Sequence, residues 1–168
     1  MKVIEKKWRR VVYFVFIDQL IKLIIYNKYF DVTRIPLIPP IFYFQPTINT
    51  NYSWLDSVFN WNLGRWFHIM STIVAIYTMW LIKRYIEELE QSYFLTEYIY
   101  IFGFAGAVCA LIDRVFWGGS LDYILLKGQF IFDLKDVYLS LMVLLVVVNC
   151  KLFKDFEFSD LFIRRKEK

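Results

Sequence analysis

The pattern of apolar and polar positions divides the chain into four long hydrophobic runs, at residues 11–29, 66–84, 93–115 and 134–153, separated by stretches rich in charge, proline or glycine. Wound as helices, each run is long enough to cross a hydrocarbon layer of about 30 Å. The pattern therefore predicts an all-α membrane protein with four transmembrane helices and both chain ends on one side. The stretch between the first two runs cannot be a spanning helix, because it contains Pro36, Pro39, Pro40 and Pro46 around the strand-forming Ile41–Gln45. Its aromatic residues, with Asn51, Tyr52, Ser53 and Trp54, suit a headgroup-level platform. A small β-like or amphipathic cap outside the bilayer is expected there. The third run ends at Gly118 and Gly119, and a connecting loop of about fifteen residues is expected before the fourth. No repeat, low-complexity tract or linker divides residues 1–168, so a single membrane-embedded domain is predicted.

Composition agrees: 58% of the 168 residues are hydrophobic and 21% aromatic, and mean hydropathy is +0.43. Positive charge fixes the orientation. Lys2, Lys6, Lys7, Arg9 and Arg10 precede the first run, Lys83 and Arg84 follow the second, and Lys151, Lys154, Arg164, Arg165, Lys166 and Lys168 follow the fourth. The two intervening segments carry only Arg34, Arg65 and Lys127. By the positive-inside rule both termini are cytoplasmic and the 30–65 and 116–133 segments face outward. The net charge of +4 is thereby assigned to topology and not to nucleic-acid binding. The first run begins like a signal peptide, but Asp18, Gln19 and Lys22 interrupt it and no small-residue cleavage site follows, so it is expected to stay attached. Cys109 and Cys150 fall at different depths, which argues against a disulfide or a shared metal.

The candidate chemistry is carboxylate chemistry. Asp122 and Asp136 flank the short segment before the fourth run. Acids at a membrane surface are costly unless paired or reactive, and two close carboxylates do not both ionise at their usual pKa. As isolated residues, Asp122 reads as a solvated loop acid and Asp136 as a helix-dipole partner. Asp133 can cap the fourth helix while Asp136 reaches back to it. Asp133 adds a third carboxylate, for which Lys135 is a candidate counter-ion. Asp18 and Lys22, four apart, share a helix face and can pair. Asp113 and Arg114 lie at the outer end of the third run, where structural tethering is the simplest role. Asn62 and Gly64 form a turn entering the second run. His68 reads as an interfacial residue, and no Ser-His or Cys-His nucleophile set is visible.

Taken in order, Asp18-Gln19-x-x-Lys22, Asn62-x-Gly64, Gly106 with Leu-Ile-Asp113-Arg114, Asp122-Tyr123 and Phe132-Asp133-Leu134-Lys135-Asp136, the chain resembles the lipoprotein signal peptidases (signal peptidase II) over all four runs. The resemblance implies a bacterial inner-membrane aspartic endopeptidase that removes the signal peptide from diacylglyceryl-modified prolipoproteins at the outer face. It makes Asp122 and Asp136 the catalytic dyad. Asp18, Lys22, Asn62, Gly64, Asp113, Arg114 and Asp133 would be supporting or substrate-binding positions. It implies a lipid-modified prolipoprotein and membrane lipids as partners, no nucleic acid, and neither cofactor nor metal. The chain departs from the family where Gly-Asn usually precedes Leu-Ile-Asp-Arg and Cys109-Ala110 stand instead. It departs again where Asn-x-Ala-Asp is usual and Asp133-Leu134-Lys135-Asp136 stand. Trp66 replaces an expected Ala, and Tyr123 an expected Phe. The alternative is a catalytically silent relative that binds a lipidated or membrane partner. A transporter built on Asp18 and Lys22 would need paired broken helices that the sequence lacks.

Overall fold

The computed structural model describes residues 2–88 and 94–149. The order of elements is α1 (Lys2–Lys28), β1 (Ile35–Ile38), β2 (Phe42–Asn49), α2 (Trp54–Phe59), α3 (Gly64–Glu88) and α4 (Phe94–Ile112). A π-helical turn (Asp113–Trp117), β3 (Ser120–Leu126), β4 (Ile131–Phe132) and α5 (Leu134–Val148) come next. The four hydrophobic runs thus become α1, α3, α4 and α5. Two of these contain segments long and apolar enough to cross a membrane, Gly64–Tyr85 in α3 and Leu95–Trp117 in α4 with its π turn. The end of the fourth run, with Cys150, and the basic tail from Lys151 lie outside the described residues.

Helices α1, α3 and α5 each expose a face of large apolar residues. On α1 the inward positions are Val11, Phe14, Val15, Asp18, Ile21, Lys22 and Ile25, at helical spacing, while Val12, Tyr13, Phe16, Leu23 and Ile24 are exposed. On α3, Trp66, Phe67, Met70, Ile73, Val74 and Tyr77 are exposed, and His68 and Thr72 are buried. On α5, Val143, Leu144, Val147 and Val148 are exposed while Lys135 is buried. Charged residues inside and large apolar residues outside invert the pattern of a water-soluble core and suit lipid as the surrounding solvent.

Helix α4 packs against α5, α1 and α3. Small residues permit this: Gly103, Ala105, Gly106, Ala107, Cys109 and Ala110 are all buried. A methyl group at Gly106 would lie 2.7 Å from Leu139 Cδ2 and 3.3 Å from the Lys135 carbonyl oxygen, so α5 approaches to within glycine contact. Val11, Ile101, Phe104, Ala105 and Tyr138 form the core of this end, where the Tyr138 ring meets Phe14 edge-on at 5.1 Å.

The segments that follow the first and third runs fold together. The expected β-like cap is a four-stranded antiparallel sheet in the order β1-β2-β3-β4. The stretch 116–133, expected as a loop, instead supplies β3 and β4, with β3 hydrogen-bonded to β2 in the register Thr47↔Asp122, Ile48↔Leu121, Asn49↔Ser120. The partner of β3 lies some seventy residues away, so no local pattern announces it. Pro46 sits where the register shifts between Phe44 and Thr47, a position at which the missing N–H is tolerated. Leu121 and Tyr123 point from the sheet onto Ile25 of α1, and this second core fixes the sheet over the helix ends.

Replacing Gly106 with Val is expected to force α5 away from α4 at a cost of about 1–3 kcal/mol, read as a lowered Tm of the purified protein in detergent.

Candidate active site

The site forms where α1, the π turn, β3 and the first turn of α5 meet. Asp18 and Lys22 lie one helical turn apart on the inward face of α1, both fully buried, with Lys22 Nζ 3.1 Å from Asp18 Oδ2. Lys22 Nζ also contacts Asp113 Oδ2 at 2.5 Å and Asp133 Oδ2 at 2.6 Å. One ammonium therefore ties α1 to the end of α4 and to the start of α5. Gln19 completes this face, donating to Asp18 and Asp113 and accepting from the Trp117 indole N–H at 3.1 Å.

Asp133 is the N-cap of α5. Its Oδ1 accepts from the Asp136 N–H at 3.1 Å, and Asp136 Oδ2 accepts from the Asp133 N–H at 3.2 Å, the reciprocal capping anticipated from their spacing. Three residues of one turn then point at β3. Lys135 Nζ lies 2.7 Å from Asp133 Oδ2, 3.5 Å from Asp122 Oδ1, 3.5 Å from Asp113 Oδ2 and 3.8 Å from Asp136 Oδ1. It donates to Ser120 Oγ at 2.5 Å, and that hydroxyl donates to Asp122 Oδ1 at 2.6 Å. Asn49 of β2 donates to the other Asp122 oxygen at 3.4 Å.

Asp122 is therefore not a solvated loop acid: it is a buried strand residue, 5% exposed. Burial pushes its carboxyl above the ordinary range, against the pull of Lys135. Burial also works to raise Asp133, but the ammoniums of Lys135 and Lys22 outweigh it and hold that carboxyl low. Around this centre five carboxylates, Asp18, Asp113, Asp122, Asp133 and Asp136, face the two ammoniums of Lys22 and Lys135. An excess of acids in a desolvated space requires that some retain protons. Oxygens of Asp122, Asp133 and Asp136 all come within 4.8 Å of one another, a spacing that suits a cation. The Lys135 ammonium fills that role. Asp136 is the outward member, its side chain 41% exposed, against 7% for Asp122.

The remaining expected residues stand apart from this centre. Arg114 donates to Thr72 Oγ1 and, at 3.1 Å, to the Tyr52 carbonyl, so it ties the platform to α3. Asn62 is exposed and donates to the Asn60 carbonyl at 3.1 Å; with Gly64 it belongs to a turn in which Asn60, Asn62 and Gly64 all have positive φ. His68 packs beneath the platform. It is buried, its Nε2 3.0 Å from Asp56 Oδ2, and its hydrogen bond helps hold the Asp56 carboxyl low. Sequence reasoning passed over Ser120, Asn49 and Asp56. Ser120 was accessible, because residues two apart on a strand share a face. Asn49 depends on cross-strand register and Asp56 on the packing of α2 against α3.

A family model described as signal peptidase (SPase) II matches residues 10–152. The chain belongs to the signal peptidase II family. It is similar to a lipoprotein signal peptidase of Bartonella quintana (strain Toulouse), 29% identical over 139 residues that cover 79% of this chain and 78% of the relative. Two solved structures, each described as a bacterial membrane enzyme, share the fold with a TM-score of 0.71. One is 20% identical, covering 98% of this chain and 95% of its own; the other is 22% identical, covering 91% and 96%. Signal peptidase II proteins are aspartic proteases and integral membrane proteins of the bacterial inner membrane that process lipoprotein precursors.

In this signal peptidase II relative, Lys22→Met is expected to leave Asp18, Asp113 and Asp133 short of their shared cation. A loss of about 3–5 kcal/mol, the scale for a broken buried pair, is expected as a large drop in Tm and in folded yield.

Proposed function

We propose that this protein is a membrane aspartic endopeptidase that removes the signal peptide from diacylglyceryl-modified prolipoproteins, with Asp122 and Asp136 as the catalytic pair. The observation that carries this reading is the convergence of these two carboxylates from β3 and α5, one buried and one opening outward. In such a pair the ionised acid takes a proton from a water held between the two as the water attacks the scissile carbonyl. The protonated acid then delivers its proton to the departing amine. Asp18, Lys22, Asp113 and Asp133 hold the pair in place. Arg114, Asn62 and Gly64 shape the platform along which the substrate backbone would lie.

In the same reading the four long helices span the inner membrane, both termini are cytoplasmic, and the sheet, α2 and the acids lie at the outer face. Exposed Phe59 and Trp61, stacked at 5.0 Å, with exposed Trp66 and Phe116, suit the headgroup level there. The substrate's acyl chains would remain in the bilayer against the apolar helix faces.

The test is cleavage of a diacylglyceryl-modified prolipoprotein by the purified protein in lipid, monitored by gel shift. Asp122→Asn and Asp136→Asn are each expected to fold and to lose cleavage by at least about a hundredfold, the scale of a general acid or base. An unmodified protein that folds, binds the substrate and never cuts it would instead support the catalytically silent reading.

The pH dependence has a defined sign. A base must be ionised to act, and burial raises the Asp122 carboxyl, so kcat/KM should climb with pH along a limb lying above the ordinary aspartate range of about 4. Initial cleavage rates across a pH series check this.

A further inference from the structure

The peptidase reading leaves Lys135 and Ser120 without a part, although both touch the centre. We infer that Lys135, acting through the Ser120 hydroxyl, is a positioning residue that fixes Asp122 as the ionised member of the pair and leaves the shared proton on Asp136. This inference rests on the proposed peptidase function.

Donor and acceptor directions carry it. An ammonium has only donors, so at 2.5 Å from Lys135 Nζ the Ser120 oxygen must accept, and its single proton is free for another group. The shortest acceptor is Asp122 Oδ1 at 2.6 Å; Asp113 Oδ2 lies farther, at 3.3 Å. The second Asp122 oxygen faces the Asn49 amide. Asn49 Oδ1 accepts from the Asn51 N–H at 3.1 Å, which fixes the amide orientation and turns its NH2 group toward Asp122. Both Asp122 oxygens therefore face donors, an arrangement that satisfies a carboxylate and leaves no acceptor for an acid proton. Asp136 differs. One of its oxygens accepts from the Asp133 N–H, and the other lies 3.8 Å from Lys135, outside hydrogen-bond reach and on the exposed side.

The groups around the pair come from every element packed on it: Asp18 and Lys22 from α1, Asp113 and Arg114 from the π turn, Asn49 from β2, Ser120 from β3, and Asp133 and Lys135 from the cap and first turn of α5. Lys22 is committed to Asp18, Asp113 and Asp133, so Lys135 is the ammonium that reaches Asp122. The short Lys135–Ser120 contact also has the form of a serine nucleophile with a lysine base. That chemistry needs a neutral amine, whereas four carboxylates within 3.8 Å of Nζ favour the ammonium.

The experiment compares kcat and KM across pH for the parent, Lys135→Met, Lys135→Gln, Ser120→Ala and the charge-balanced pair Asp133→Asn with Lys135→Met, using a diacylglyceryl-modified prolipoprotein in lipid. Removing the ammonium should make Asp122 harder to ionise. The acidic limb is expected to move up by about one pH unit in either Lys135 variant, with kcat on that limb down about tenfold and KM little changed. Ser120→Ala should shift the limb the same way by less, and the charge-balanced pair should bring it part of the way back. An unmoved limb in a folded Lys135 or Ser120 variant overturns the inference. So does loss of all cleavage in Ser120→Ala, which would mark Ser120 as a nucleophile. Full cleavage by Asp122→Asn or Asp136→Asn would overturn the peptidase reading itself, a result separate from either of these.

Discussion

Two buried ammoniums hold the sheet-bearing end of the molecule together. Lys22 and Lys135 share Asp113 and Asp133 between them, and Lys135 also reaches Asp122, so α1, the end of α4, β3 and α5 meet at one cluster of charges. Buried ion pairs seldom add much net stability over apolar packing of the same shape, but an unpaired member is severely penalised. Their effect is therefore on register. Sliding α1 by one turn, or rotating the start of α5, would strand several charges in an apolar surrounding. The apolar contacts along the helices are permissive by comparison, since one Leu or Val face packs nearly as well as the next.

The same point explains why an inside-out distribution can be stable. Lipid-facing Phe, Val, Ile and Leu residues make the helices insoluble as separate pieces in water, and the small residues of α4 let three neighbours close around it. This central helix pairs Glu97 with Arg10 of α1 near its start, and from Asp113 onward its other end presents charge to several neighbours at once. The sheet then covers that end, with Leu121 and Tyr123 pressed on α1 and the polar side of β3 turned to the acids. Alternation along one strand thus separates a greasy anchor from an acidic face.

The sequence made the helices legible because each run is long and continuous, and it made the Asp133–Asp136 cap legible because both partners lie within one turn. The aspartates on β3 and α5 were legible as a resemblance to a family, and their chemistry came from charge in a poor solvent. What stayed hidden was non-local. The β2–β3 pairing links residues some seventy positions apart, so the segment before α5 looked like a loop and Asp122 looked solvated. The Asp56–His68 pair depends on how a six-residue helix rests on α3. Lys135 was visible as a counter-ion to Asp133, but its reach to Ser120 required knowing that β3 passes beside the first turn of α5.

The hairpin that delivers Asp122 and the helix turn that delivers Asp136 differ in how they respond to length. Within α5 each added residue would rotate the downstream part of the helix by about 100° and advance it about 1.5 Å, so an insertion between Asp133 and Asp136 would scatter the three charged side chains around the helix. The hairpin tip at Lys127, Gly128, Gln129 and Phe130 is exposed and lies beyond the last paired residues. Extra residues there would extend into solvent while both strands kept their register. Divergence in chain length should collect at that tip, leaving the spacing of the acidic turn unchanged.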